Sequence, residues 1–383
     1  MSALPFDNSD PTLVGRVFRP EVDGPSIVAV REGEVVDITS REVPTMRDLL
    51  EMDDPAGFVR HCDGETLGLF EEIERASLEH DLEAVHLLAP CDLQSVKAAG
   101  VTFANSMVER VIEEQAAGDP DKAEGIRRRV GAKIGDSLSN IEPGSKQAEA
   151  VKAALIEEGL WSPYLEVGIG PDAEVFSKAQ VMSSVGFGAN VGLHPISKWN
   201  NPEPEVVLAV DSNGGIKGAT LGNDVNLRDV EGRSALLLSK AKDNNASCSI
   251  GPFIRLFDDD FSMNDVCNAE LDLRVEGEDG FVLQGHSSMR QISRNPADIV
   301  RQTIGRHHQY PDGIVLFLGT LFAPTQDRDA PGQGFTHKLG DKVTISCPEL
   351  GHLTNTVRLS TECAPWTFGV RALMANLAGR NLI

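Results

Sequence analysis

The chain has 383 residues, 41% of them hydrophobic, which is enough for one large core and a small additional unit. Its net charge of −23 and its aromatic content of 5% argue against binding to nucleic acid or to an anionic membrane surface. No apolar run approaches the ~18 residues of a membrane span, the N-terminus does not resemble a signal peptide, and the six cysteines form no Cys-x-x-Cys pair. We therefore expect a cytoplasmic protein with reduced cysteines.

Residues 1–91 have the pattern of a small α/β domain. Two β-branched segments, Ile27–Val30 and Val35–Ile38, flank Glu32-Gly33 and predict a β-hairpin. Three helices are expected after it, beginning near Thr45, at Asp54-Pro55 and over Leu67–Leu78. No evident reactive group lies in this region, so we expect it to contribute packing rather than chemistry.

Residues 105–159 are predicted to be helical, because apolar side chains recur there every three or four positions. Gly118-Asp119-Pro120 and Pro143-Gly144 divide the segment into three helices. The run Arg127-Arg128-Arg129 lies among acidic residues, which favours an ion-paired, solvated surface over a nucleic-acid patch. We expect the segment either to pack against the rest of the chain or to flank a functional site.

The most informative segment runs from Pro202 to Asp229. The apolar stretch Val206–Val210 is followed by Asn213-Gly214-Gly215, whose residues tolerate positive φ, and this combination predicts a β-hairpin. Glu203 and Glu205 are two positions apart, so in a strand both carboxylates point to the same face, roughly 7 Å apart along the backbone. Asp224 lies just beyond the returning strand, where it can meet the pair.

Three carboxylates that lie close together remain ionised only if a cation neutralises them. An all-oxygen set suits a hard ion, so Mg²⁺ is the first expectation, with Mn²⁺ or Ca²⁺ as alternatives. The spacing alone fits a solvated acidic hairpin equally well.

Strand signals dominate from residue 160 onward. They are found at Val181–Val185, Val206–Val210, Ile250–Leu256, Glu270–Val275, Phe281–Leu283, Val315–Leu318, Lys342–Ser346 and Leu353–Leu359. Two helices are expected among them, over Ala297–Gly305 and Phe368–Leu377.

The order of several motifs resembles that of the fumarylacetoacetate hydrolase superfamily. The Glu-x-Glu pair is followed by Asn-Asp-Val-Asn-Leu-Arg-Asp, from Asn223 to Asp229, and Lys242 stands nine residues before Gly251-Pro252. The remaining matching motifs are Gly100–Phe103, Glu174–Lys178, Gly319-Thr320, Leu339–Asp341 and Gly351–Val357. The resemblance covers residues 92–383 and is specific because the motifs occur in combination.

The resemblance implies an α+β fold with a mixed β-sandwich or β-roll in residues 92–383, preceded by the small N-terminal α/β domain of residues 1–91. Residues 105–159 would then be a helical insertion. The resemblance also implies that Glu203, Glu205 and Asp224 hold one divalent ion, and that the protein is a homodimer or a homotetramer.

Departures from the family pattern point to a particular branch of it. The hydrolases carry a catalytic histidine where this chain has Ser106 and a tyrosine where it has Phe103, and a serine hydroxyl is no base near neutral pH. Glu231 replaces a residue that is often glutamine in the hydrolases, and Glu174 adds a carboxylate. In these features the chain resembles the dehydratases of 2-keto-3-deoxy-pentonates, the arabinonate and xylonate enzymes.

That branch implies dehydration of a small sugar acid to 2,5-dioxopentanoate, with Mg²⁺ acting as a Lewis acid. Glu174 and Lys242 are the candidate catalytic residues. The candidate substrate contacts are Phe103, Ser106, Glu231 and Thr320.

Several alternatives stay open from the sequence. The chain could instead hydrolyse a carbon–carbon bond in a 2,4-diketo acid, or bind an oxo acid without turnover. Ser106 also fits the N-cap of the following helix, and Arg228 fits a structural ion pair. His307-His308 fits an exposed loop better than a metal site, while the role of His337 is undecided.

Overall fold

The computed structural model describes residues 2–128, 138, 141–330 and 334–383. In these residues the chain forms two β-sheets that are flanked by helices. The strands are β1 (Leu13–Arg19), β2 (Gly24–Arg31), β3 (Glu34–Asp37), β4 (Glu65–Leu69), β5 (His86–Leu88), β6 (Ser95–Ala99), β7 (Val175–Ala179), β8 (Asn190–Leu193), β9 (Pro204–Val210), β10 (Ile216–Asp224), β11 (Cys248–Leu256), β12 (Glu270–Glu276), β13 (Val282–Ser288), β14 (Ile314–Phe317), β15 (Lys342–Cys347) and β16 (Gly351–Leu359).

The helices lie between and after these strands. They are α1 (Met46–Leu50), α2 (Pro55–His61), α3 (Phe70–Glu79), α4 (Ala104–Gln115), α5 (Pro120–Ile126), α6 (Lys146–Glu157), α7 (Pro163–Ile169), α8 (Arg228–Glu231), α9 (Leu238–Lys242), α10 (Met263–Asn268), α11 (Pro296–Thr303) and α12 (Val370–Gly379). Short 3-10 turns occur at Pro20–Val22, Ala235–Leu237 and Met289–Gln291. Within the described residues, no helix combines the length and apolarity that crossing a bilayer requires.

The larger sheet has eleven strands in the order β4-β3-β2-β1-β11-β10-β9-β14-β6-β7, with β5 paired to β1. The smaller sheet has the order β13-β12-β15-β16-β8. β14 pairs with β6 and β16 with β8 in parallel, while the other pairs are antiparallel, so both sheets are mixed. This is the mixed β architecture that the sequence predicted.

The N-terminal strands belong to the same sheet as the strands of the candidate site. β1 pairs with β11, and Leu13 lies opposite Arg255. The predicted hairpin is confirmed as β2 and β3, whose turn places Glu32 and Gly33 at positive φ. The division of the chain near residue 91 therefore falls within one continuous sheet, and we retain it as a proposed boundary between sequence regions.

Most predicted helix starts are confirmed by capping contacts. The Thr45 side chain accepts a hydrogen bond from Asp48 N at the start of α1, and the Asp54 side chain accepts one from Gly57 N at the start of α2. The third helix was placed three residues too early, because Leu67 lies in β4 and α3 begins at Phe70. Pairing of β4 with β3 overrides the local helical preference there.

One predicted strand is wrong. Residues 181–184 form turns, and only Val185 makes an isolated bridge, to Ser249. The strand of this region is instead β7, at the edge of the large sheet beside β6. A short run of apolar residues that is interrupted by two serines, Ser183 and Ser184, does not distinguish a turn from a strand.

The predicted helical segment forms α4, α5 and α6, interrupted near Gly118 and Gly144 as expected. The part that contains Arg129, Val130 and Ile134 lies outside the described residues. These helices and α7 pack around a hydrophobic cluster of their own, which includes Met107, Val111, Leu155, Tyr164 and Leu165. The segment therefore has a core that is separate from that of the large sheet.

Candidate metal centre and active site

The candidate site is built on the hairpin of β9 and β10. Every residue of β9 is buried, and Glu205 in β9 lies opposite Gly222 in β10. Asp224 is the last residue of β10, and its backbone N–H donates to the carbonyl of Glu203 at 3.0 Å. This register brings the three carboxylates together, with one oxygen from each within 4.8 Å of the others.

Backbone and hydroxyl donors hold the Glu205 carboxylate. Gly319 N donates to its Oε2 at 2.7 Å, and the Thr320 hydroxyl donates to its Oε1 at 3.2 Å. Both donors follow β14, the strand beside β9. The Thr320 hydroxyl therefore orients a triad carboxylate, whereas its predicted contact with a substrate stays a prediction.

Three cationic side chains surround the triad. Lys242 Nζ lies 2.5 Å from Glu203 Oε2 and 3.0 Å from Asp224 Oδ2. Lys178 Nζ lies 2.9 Å from Asp224 Oδ1, and Arg110 Nη2 forms an ion pair with Glu203 Oε1. Each cation is almost completely buried, so charge balance rather than solvent determines the ionisation of the carboxylates.

The surroundings of the triad shift the pKa values of Glu203 and Glu205 in opposite directions. Burial raises the pKa of Glu203, but Lys242 and Arg110 outweigh this effect and lower it to about 2. Burial, followed by the charges of Asp224 and Glu203, raises the pKa of Glu205 well above its usual value.

The triad fits a hard divalent cation. Such an ion would offset the repulsion that raises the pKa of Glu205, and carboxylate oxygens are the ligands it prefers. Asp224 Oδ1 is also buried and accepts no hydrogen bond from the described residues, although it faces Lys178. Glu203, Glu205 and Asp224 are therefore the residues that could hold the ion.

A cavity opens beside the triad. It is lined by Ala99, Gly100, Val101, Ser106, Arg110, Glu174, Phe176, Glu203, Glu205, Asp224, Glu231, Leu238, Lys242 and Thr320. The structure thus brings together all but one of the residues predicted for the site. The exception is Phe103, which is buried in the main hydrophobic core and does not line the cavity.

Glu174 enters the cavity from the residue before β7. Its Oε2 lies so close to Gly100 that a Cβ atom there would be 1.8 Å from it, so the glycine makes room for the carboxylate. Burial raises the pKa of Glu174, and Arg110 and Lys242 offset this effect only in part. A raised pKa favours the protonated form of this carboxyl more than in an exposed glutamate, which suits a group that exchanges protons with a substrate.

Glu231 lies at the end of α8 and is also buried. Burial raises the pKa of its carboxyl to about 7, although Arg110 and Lys242 act in the opposite direction. The cavity therefore contains two carboxyl groups, Glu174 and Glu231, whose pKa values are raised.

Ser106 lines the cavity, but the suggestion that it caps α4 is wrong. Phe103 occupies the N-cap position, and the Ser106 hydroxyl donates back to the Phe103 carbonyl at 2.8 Å. The helix begins earlier than the sequence indicated, because Phe103 pairs in extended conformation with Ile292.

Sequence reasoning missed Arg110, which α4 carries into the cavity. Its guanidinium contacts Glu203, Glu231 and Glu113, and all three carboxylates are buried. A signal was available, because Arg110 falls on the same helix face as Met107 and Val111, where a charged side chain requires buried partners. Sequence reasoning also missed the role of Lys178, whose ammonium group is buried against Asp224.

The other polar residues singled out in the sequence lie elsewhere. Arg228 forms ion pairs with Glu109 and Glu113, as expected of a structural residue. His307 and His308 are exposed in a loop, and neither belongs to a metal-ligand cluster among the described residues. His337 is buried against Asp341 and does not line the cavity.

Comparisons with known proteins agree on the fold. Residues 201–358 match the family "Fumarylacetoacetate (FAA) hydrolase C-terminal". A structure of 2-keto-3-deoxy-D-arabinonate dehydratase complexed with magnesium and 2,5-dioxopentanoate superposes with a TM-score of 0.62 at 19% identity, and the match covers 91% of this chain and 99% of that one. A fumarylacetoacetate hydrolase from Exiguobacterium antarcticum gives a TM-score of 0.56 at 17% identity, with the same coverage of both chains.

Two curated relatives are similar in sequence. A probable 2-keto-3-deoxyxylonate dehydratase of Haloferax volcanii is 30% identical over 201 residues, and a 2-dehydro-3-deoxy-D-arabinonate dehydratase of Saccharolobus solfataricus is 29% identical over 185 residues. The matches cover 52% and 48% of this chain, and 65% and 58% of the relatives. The chain thus spans less than two thirds of the length of the relatives. The stretch that matches the fumarylacetoacetate hydrolase C-terminal family, residues 201–358, contains the acidic triad.

Proposed function

We propose that the chain is a magnesium-dependent dehydratase that converts 2-keto-3-deoxy-D-xylonate or 2-keto-3-deoxy-D-arabinonate into 2,5-dioxopentanoate. The observation that carries this proposal is the content of one cavity: the acidic triad, Glu174 and Lys242 line it, and no histidine is among the described lining residues. The names of the two curated relatives support the same reaction.

Glu203, Glu205 and Asp224 would hold the ion. A bound divalent cation supplies Lewis acidity, which makes the hydrogens on carbon 3 of a 2-oxo acid easier to remove. Because Lys242 Nζ lies against Glu203 and Asp224, its position beside the triad is suited to a negatively charged oxygen of the substrate. The Thr320 hydroxyl has a single proton, so it would donate to the substrate carboxylate only by turning that proton away from Glu205.

Glu174 is the candidate for proton transfer. Its carboxylate would take a proton from carbon 3 and return this proton to the hydroxyl on carbon 4, which would leave as water. One proton then moves from carbon 5 to carbon 3, and the hydroxyl proton of the resulting enol moves to carbon 4, which yields the aldehyde. The raised pKa of Glu174 suits a group that both accepts and returns a proton.

No histidine is found among the described residues that line the cavity, and this supports dehydration over hydrolysis. A carbon–carbon hydrolase requires a base that activates water, and Ser106 stands where the related hydrolases have their histidine. The Ser106 hydroxyl donates to the backbone carbonyl of Phe103.

The proposal is tested with purified protein that has been stripped of metal and then supplied with Mg²⁺. We expect the deoxy sugar acid to yield 2,5-dioxopentanoate only when metal is present. An aldehyde dehydrogenase that oxidises this product serves as the coupled assay. Release of pyruvate from a 2,4-diketo acid, without semialdehyde from the sugar acid, would assign a hydrolase. Metal binding without turnover of any oxo acid would assign a binding protein.

Glu174→Gln should lower kcat by roughly 100-fold or more, because the amide cannot carry the proton. Glu166→Gln is the matched control, since Glu166 is a partly exposed acid of α7 that pairs with Lys152 of α6. A second measurement tests whether the variant is impaired in removing the proton from carbon 3. In deuterated water, NMR measures the rate at which the carbon 3 hydrogens of 2-oxopentanoate exchange with deuterium. Loss of exchange in Glu174→Gln identifies the base, whereas normal exchange contradicts that role.

A further inference from the structure

We propose that Glu231 and Arg110 form a subsite that recognises the terminal hydroxyl group, on carbon 5, of the substrate. The inference rests on the proposed function, which assigns the 2-oxo acid end of the substrate to the triad and the carbon 4 hydroxyl to Glu174. It adds a residue pair that selects polyhydroxylated acids over simple 2-oxo acids.

Glu231 has an unused hydrogen-bond acceptor at the cavity. The residue is 3% exposed, and its Oε2 is buried without a hydrogen-bond donor among the described residues. Arg110 Nη1 lies 3.2 Å from this oxygen as an ion pair. Buried carboxylate oxygens are normally hydrogen-bonded, so an acceptor of this kind at a cavity wall indicates that the ligand supplies the donor.

Glu113 fixes the position of the Arg110 side chain. Its Nη1 donates to Glu113 Oε2 at 2.6 Å, and Arg228 Nε donates to the other oxygen of Glu113 at 2.6 Å. Glu113 is thereby fixed between two guanidinium groups. Because Arg110 also contacts Glu203, one rigid side chain sets the spacing between the triad and Glu231.

The chemistry of this pair matches a hydroxyl group, which donates one hydrogen bond and accepts others. A hydroxyl can donate to Glu231 while it accepts from the adjacent guanidinium. A phosphate group fits poorly, because the buried carboxylate of Glu231 would repel its negative charge. A methyl group would leave the Glu231 oxygen unpaired, and sites of this kind discriminate strongly against such analogues.

Two probes isolate the hydroxyl. 2-Oxopentanoate and 5-hydroxy-2-oxopentanoate both lack a leaving group on carbon 4, so neither can be dehydrated. Calorimetry in the presence of Mg²⁺ should show that the wild-type protein binds the hydroxylated probe at least about tenfold more tightly. Glu231→Ala should reduce this preference to about twofold or less and leave the affinity for 2-oxopentanoate nearly unchanged.

Conservative variants keep the test decisive if Glu231→Ala does not fold. Glu231→Gln retains an acceptor, and Arg110→Lys retains a charge, so each should keep an intermediate preference. Glu109→Ala is the matched control: Glu109 precedes Arg110 but pairs with Arg127 and Arg228 and does not line the cavity, so the wild-type preference should persist.

Each outcome decides between the two proposals. Equal binding of both probes by the wild-type protein, or an undiminished preference in Glu231→Ala, would overturn the hydroxyl subsite alone. If neither probe binds in the presence of Mg²⁺, the proposed function fails, and the subsite fails with it.

Discussion

Glu205 shows at the scale of one residue how the fold and the metal depend on each other. Burial and the neighbouring carboxylates of Asp224 and Glu203 raise its pKa, which means that its charged form is unfavourable without a cation. The fold nevertheless holds this carboxylate with two donors, from Gly319 and Thr320. The position of the Glu205 carboxylate thus favours the binding of a cation and lowers the stability of the metal-free fold.

Glu205→Gln should therefore abolish binding of a stoichiometric divalent ion and keep or raise the thermal stability of the metal-free protein. The amide removes an unfavourable buried charge and preserves the shape of the side chain. Elemental analysis and thermal unfolding with and without a chelator measure the two effects. A variant that retains one ion per chain would show that the triad is not the metal site.

The sequence predicts the triad but not the residues that reach it from a distance. Glu203, Glu205 and Asp224 lie on one hairpin, so the period of a strand and a single turn are enough to bring them together. Arg110 comes from a helix that precedes the hairpin by many residues. Its arrival beside Glu203 depends on tertiary packing, which local spacing does not specify.

At the scale of elements, α4 is joined to the hairpin region by a buried carboxylate. Glu113 accepts from Arg110 and from Arg228, and the Arg228 guanidinium stacks on Trp199 and donates to the carbonyl of Pro324. Removing one partner of a buried charge network leaves the other charges unpaired, which is more costly than the loss of a surface pair.

Glu113→Gln should lower the free energy of unfolding by about 3 kcal/mol. Glu124→Gln is the control, because Glu124 pairs with Arg127 in a partly exposed setting and should cost at most about 1 kcal/mol. Urea unfolding of both variants measures the difference. Equal, small effects would mean that α4 is attached mainly by its apolar contacts.

His337 and Asp341, which lie just before β15, make the stability of the fold depend on pH. Burial lowers the pKa of His337, although the hydrogen bond to Asp341 acts in the opposite direction, so its neutral form is favoured in the folded protein. Stability from this residue is present above the unfolded pKa near 6.5 and is lost as the pH falls through the lower folded value. Asp341, whose pKa is lowered to about 2 despite its burial, adds a loss of the same sign in a more acidic range.

We expect His337→Gln to flatten the fall in unfolding free energy between about pH 7 and pH 5. His286 offers a control with the opposite sign, because its hydrogen bond to Asp272 raises its pKa. His286→Gln should therefore remove stability at the acidic end of that range. Urea unfolding at several pH values distinguishes the two slopes, and an unchanged slope in His337→Gln would contradict the assignment.

Elements with strong local signals were predicted and weaker ones were not. The β9–β10 hairpin has a turn of residues that tolerate positive φ, and α1 and α2 have capping side chains, so each carries its own boundary. The run over residues 181–185 has only hydrophobicity in its favour. In the structure, the strand of this region is β7. Its pairing with β6 joins segments that are distant in sequence, so local sequence does not specify it.

At the scale of the whole molecule, the resemblance to the fumarylacetoacetate hydrolase superfamily predicts a homodimer or a homotetramer. The strongly acidic composition favours a discrete assembly over open-ended association. Light scattering at micromolar concentration should give the mass of two or four chains. The mass of a single chain would contradict the prediction.

The pairing of β1 with β11 has a consequence for synthesis. β2 and β5, which pair with most of β1, are made early, but β11, which pairs with Leu13 and Val14, is made only after the ribosome has passed residue 248. Contacts between segments so far apart in sequence slow folding and leave strand edges uncovered meanwhile. We expect the emerging chain to carry the Leu13–Val14 end of β1 with an open backbone edge throughout the translation of the helical insertion and of the hairpin that bears the triad.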